Sequence, residues 1–116
     1  MSKRARPLVL RQMLDHSREV VLLAHGRTRA DLDNNKLLNL SPVRLLEIVG
    51  EAATRMPPED RARYPKIPWT QIVGMRNRLI HGYDAVDLDV VWEIISQDVP
   101  RLILALEAAL MAEDKE

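Results

Sequence analysis

The chain has 116 residues and a formal net charge of zero, 17 Lys and Arg against 17 Asp and Glu, with 47% hydrophobic and 29% charged residues. That profile predicts one folded domain over 1–116 and excludes both a disordered chain and a generic nucleic-acid binder held by a broad basic field. Cysteine is absent, which excludes disulfides, Cys-based zinc sites and a thiol nucleophile.

Apolar residues predict a first helix over 7–25. Leu10, Met13, Leu14, Ser17, Val21 and Ala24 share one face, and Gly26 supplies a left-handed stop. Arg11, Asp15 and Arg18 interrupt this segment, so it reads neither as a secretory leader nor as a membrane span. A cytoplasmic location is the expectation. Thr28 to Asp31 resembles a capping box and opens a second helix. Ser41-Pro42 pairs an N-cap with proline at a first helical position, which predicts a fresh helix over 41–56. Its buried stripe is Leu45, Leu46, Val49, Ala52, Ala53 and Met56, and Gly50 allows another backbone to approach.

The proline-rich stretch PPEDRARYPKIP reads as a connector with room for one helical turn. The next helix is predicted over 69–82, and the last from about Asp87 to about Met111. In the last, Ile95, Val99, Leu102, Leu106 and Ala109 form a packing seam. Pro100 predicts a kink or restart near Asp98. The sum is an all-α, antiparallel up-and-down bundle of four or five helices.

The segment MRNRLIHGY, residues 75–83, gathers most of the chain's distinctive chemistry. On one continuous helix from Trp69, Arg76 falls inside the apolar arc of Ile72, Val73, Met75, Leu79 and Ile80. Two roles fit a guanidinium there. It is paired internally with a carboxylate such as Glu47, Glu51 or Asp98, or it presents its planar fork of donors to a phosphate. His81 is either a cation closing the helix before Gly82 or a general acid or base. Asn77 lies on the histidine side, placed to orient that ring or a phosphate. Arg76 and His81 are five apart, not the four of paired metal ligands on one helix face, and no second ligand completes a set, so no metal or cofactor is expected. His16 and His25 read as surface groups of the first helix.

RNRLIHGY resembles the R-x4-H-x-Y pattern of the HepT-like branch of HEPN-domain proteins. Arg76, His81 and Tyr83 fill its three positions, and Asn77 fills the polar position after the arginine. LLEIVGEAATR, YPKIPWTQIVGMRN and VDLDVVWEIISQDVPRL resemble further segments of that branch in order, so the likeness spans most of the chain. It implies a HEPN-like bundle that forms a homodimer with the motifs facing across a cleft. It also implies a metal-independent endoribonuclease toxin with RNA as substrate. Arg76, His81 and Asn77 would be its catalytic residues. A minimal nucleotidyltransferase antitoxin would silence it by transferring AMP to Tyr83. The alternatives are a non-catalytic HEPN-type nucleotide- or partner-binding module and a purely structural helical dimer, both of which the zero net charge favours.

Overall fold

A computed structural model of the chain describes residues 1–79 and 86–115. These are all-α, with no strand among the described residues. Helix α1 spans Ala5–Ala24, α2 Arg29–Asn34, α3 Lys36–Thr54 and α4 Pro58–Arg61. Then come α5 Trp69–Val73, α6 Met75–Leu79, α7 Leu88–Glu93, a π-helical turn Ile94–Asp98, and α8 Val99–Asp114.

Helix α1 is central and packs against α3 and α8. Its predicted face is buried at Leu10, Met13, Leu14 and Ser17, while Val21 and Ala24 are partly covered. Gly26 ends this segment at φ 74°, a conformation that a side chain would strain. The predicted capping box is formed, with the Thr28 N–H donating to Asp31 Oδ2 at 2.7 Å. Helices α1 and α8 run antiparallel, as shown by Arg18 meeting Glu107 at 2.9 Å while Arg6 meets Glu113 at 3.1 Å.

The predicted start at Ser41 is corrected. Helix α3 begins at Lys36 and runs through Pro42. Asn35 is the cap, its side chain accepting from the Leu38 N–H at 3.1 Å. An interior proline loses one hydrogen bond and costs about 3 kcal/mol. Burial of Leu38, Val43 and Leu46 offsets this, since each fully buried side chain contributes about 2 kcal/mol. The predicted stripe is otherwise as expected, with Leu46, Val49, Ala52, Ala53 and Met56 buried and Leu45 partly so.

The connector holds the one short turn expected of it, α4. Trp69 ties it down, its indole N–H shared between Arg61 O at 3.1 Å and Tyr64 O at 3.2 Å. Beneath it lies a polar cluster. Arg6 bonds Glu113 at 3.1 Å and stands 3.7 Å from Asp60, and the Tyr64 hydroxyl donates to Glu113. The cluster links the start of α1, the connector and the end of α8.

Pro100 perturbs the last helix as predicted, and the π-helical turn is the form this takes. The Val99 N–H reaches back five residues to Ile94 O. The wider turn relieves the clash a proline ring makes with the carbonyl four residues earlier. The seam residues Ile95, Val99, Leu102, Leu106 and Ala109 are all buried.

Candidate functional site

The predicted continuous helix over 69–82 is also corrected. Within the described residues it is two short helices, α5 and α6, parted at Gly74 with φ −83° and ψ 6°. A helical ψ is near −42°, so the chain turns there and the two wheels no longer share a phase. Helix α6 buries Met75 and Leu79, four residues apart on one face.

Arg76 and Asn77 are consequently exposed. This overturns the placement of Arg76 in the apolar arc. No carboxylate among the described residues pairs with it. Of the three proposed partners, Glu47 and Glu51 both lie near Arg44, at 3.5 and 3.6 Å. Asp98 instead takes Arg78, at 3.1 Å, with both side chains more than a third exposed. Arg78 thereby ties α6 to the π-helical turn, and Arg76 is exposed with no carboxylate partner among the described residues.

Two contacts hold α6 in place from behind and below. Helix α3 approaches at Gly50, where a Cβ would stand 2.9 Å from Ile72 O and 3.5 Å from Met75 Cβ. Only a glycine lets the two backbones come so close. At the far end the Asp87 N–H donates to Leu79 O at 3.0 Å, joining the end of α6 to the start of α7. The Asp87 carboxylate then caps α7, accepting from the Asp89 N–H at 3.1 Å and the Val90 N–H at 3.2 Å.

Arg29 braces the same region from α2, binding Asp89 at 2.9 Å and Asp33 at 3.1 Å. Donating hydrogen bonds to Asp33 and then to Asp89 raises the pKa of its guanidinium. His81 and Tyr83 lie outside the described residues. Their described flanks, Leu79 and Asp87, are held together by the bond just given.

What this arrangement offers chemically is an exposed cation and an exposed amide side by side on a braced short helix. They are donors suited to the oxygens of a phosphate. Sequence reasoning missed two features here, the Arg78–Asp98 pair and the break before α6. Gly74 itself was the available signal for the break, since glycine disfavours helix interiors.

A family model described as ribonuclease HepT-like matches residues 13–109. A candidate RNase of Methanocaldococcus jannaschii, MJ1380, is 34% identical over 102 residues, covering 88% of this chain and 94% of that one. A candidate RNase of Caldanaerobacter subterraneus, TTE0752, is 34% identical over 104 residues, covering 90% and 93%. A protein named probable ribonuclease HepT, from Thermococcus cleftensis, is 38% identical over 68 residues, covering 59% and 62%. Among solved structures, none matches the chain significantly.

Proposed function

Because the chain belongs to the ribonuclease HepT-like family, we propose that it is a metal-independent endoribonuclease toxin cutting RNA at the Arg76–His81–Tyr83 motif. The observation that carries this reading is the exposure of Arg76 without a carboxylate partner among the described residues. A guanidinium needed for the fold would be paired or buried. This one is held outward on α6, while its neighbour Arg78 makes the internal pair.

In the reaction, His81 removes the proton of an RNA 2′-hydroxyl. The freed oxygen attacks the adjacent phosphorus and the bond from phosphorus to the 5′-oxygen breaks. A second histidine returns a proton to that leaving oxygen. The products are a 2′,3′-cyclic phosphate and a 5′-hydroxyl. Arg76 stabilises the charge that grows on the phosphoryl oxygens, and Asn77 orients the phosphate or the imidazole. The chain has one motif histidine, so the second comes from another copy, which makes a twofold homodimer the working unit.

Silencing follows from Tyr83. A minimal nucleotidyltransferase antitoxin would join its hydroxyl oxygen to the α-phosphorus of ATP and release pyrophosphate. The added AMP brings bulk and negative charge to a site built for RNA phosphate. Expression of the parent, Arg76→Ala and His81→Ala without the partner tests the reading. The parent should arrest growth and degrade RNA while both variants do neither. RNA cleavage by His81→Ala at the parent's rate would refute it. The zero net charge favours a second reading, a non-catalytic nucleotide- or partner-binding module; intact RNA with purified parent protein would support it.

A further inference from the structure

Arg76 reaches a phosphate from a fixed direction only if α6 is held at one rotation. Gly74 breaks the helix just before it, so α5 does not set that rotation. Helix α6 is five residues long, and its Asn77 and Arg78 N–H groups both donate to Gly74 O, at 3.0 and 3.3 Å. So short a helix is marginal on its own backbone bonds. It packs on α3 and α7, and its buried residues are Met75 and Leu79.

Toward the π-helical turn the packing of α6 is incomplete. A hollow of about 20 Å³ lies there, lined by Ile72, Met75 and Arg78 on one side and Ile94, Asp98 and Leu102 on the other. The bond from Arg78 to Asp98, 3.1 Å, joins the two sides. At about 100° per residue, Arg76 and Arg78 leave α6 on opposite flanks of Met75 and Leu79, each about 80° from their midline. Fixing one flank therefore sets the aim of the other. A roll of about 10° moves a group about 6 Å from the helix axis by about 1 Å. A misplacement of that size can slow a reaction about a hundredfold.

We propose that Arg78 and Asp98 are positioning residues, a strut across this hollow that fixes the rotation of α6 and so aims Arg76 at the phosphate. This rests on the ribonuclease reading, since it concerns the aim of that same site. The two side chains are 36% and 38% exposed, so the pair adds little to stability. Its contribution is direction.

The test compares Arg78→Gln and Asp98→Asn with the parent in RNA cleavage, urea unfolding and amide hydrogen exchange. Each variant should lower kcat about tenfold, short of the full loss because Met75 and Leu79 still resist the roll. KM should stay within about twofold of the parent's, and the urea midpoint should not move. The double variant should be no slower than either single, because the two residues act as one unit. The direction of the Asp98→Asn effect separates aim from field. If Arg78 acted only as a charge near the phosphate, losing the Asp98 carboxylate would raise the local positive potential and speed cleavage. Arg18→Ala removes a similarly exposed pair with Glu107, between α1 and α8, and should keep the parent's kcat. The Asn77 N–H should exchange about threefold faster in both strut variants and at the parent's rate in Arg18→Ala. In a chain that cleaves RNA, parent-like kcat in both variants, a faster Asp98→Asn, or additive losses in the double variant would overturn the proposal. In a chain that cleaves none, the nuclease reading falls by itself and exchange decides the strut. Parent-like exchange of the Asn77 N–H in both variants would then overturn it.

Discussion

Gly50→Val should weaken the fold and the site together. An ideal Cβ at Gly50 meets Ile72 O at 2.9 Å, closer than real Cβ atoms come to anything, and Met75 Cβ at 3.5 Å. The obstructing atom is backbone of α5, so it cannot rotate aside and the helices must part. Overpacking of this kind costs about 1–3 kcal/mol. Valine recovers only a few tenths of a kcal/mol over glycine in helix propensity. The expected net loss is about 1–2 kcal/mol, which lowers the urea midpoint by about 1 M at a typical slope. Gly50→Ala should fall between the two, because alanine offsets more of its smaller clash with up to about 1 kcal/mol of propensity. The moved atoms precede Arg76 by only a few residues, so RNA cleavage should drop further than the unfolded fraction explains. A Gly50→Val midpoint equal to or above the parent's would refute the close-approach argument.

Asp87→Ala removes the α7 cap and should cost about 1 kcal/mol in urea unfolding, while the backbone bond from the Asp87 N–H to Leu79 O is kept, so cleavage should fall no further than the unfolded fraction explains. Arg6→Ala takes the nearest cation from the Glu113 carboxylate, 3% exposed, which keeps the Tyr64 hydroxyl and Arg63 at 3.9 Å; a loss of about 2 kcal/mol is expected for one charged hydrogen bond, and a shift below about 1 kcal/mol would show that the cluster adds little. Tyr83→Phe should remain toxic and gain no AMP mass on incubation with a nucleotidyltransferase antitoxin and ATP; a mass increase of one AMP on the variant would place the modification elsewhere.

The helical class, the core faces and the connector could all be read from apolar spacing and proline. So could the Gly26 stop, the Thr28–Asp31 cap and the disturbance at Pro100. These are local signals, each set by residues within a turn or two. The errors arose where local signals compete. Ser41-Pro42 looks like a helix start, but Asn35 caps earlier and burial of Leu38 and Val43 carries the helix through the proline. Arg76 was placed by counting through Gly74, where the backbone leaves helical ψ and resets the phase.

The motif could be read as a string of residues, with Arg76 and Asn77 as its expected donors. What each arginine touches was not, because the Arg78–Asp98 pair depends on how α6 docks against the π-helical turn. The Arg6–Glu113 bond was invisible for a like reason, since it joins residues 107 apart in the chain.

The central claim is that Arg76 serves an RNA phosphate and not the fold. The direct measurement is purified Arg76→Ala, compared with the parent by urea unfolding and by the rate of RNA cleavage. Substituting an exposed side chain with no carboxylate partner among the described residues should move stability by no more than about 0.5 kcal/mol, while loss of the donor that meets the growing charge should slow cleavage about a hundredfold or more. Cleavage at the parent's rate, or a loss of stability large enough to account for the slower cleavage, would contradict the account.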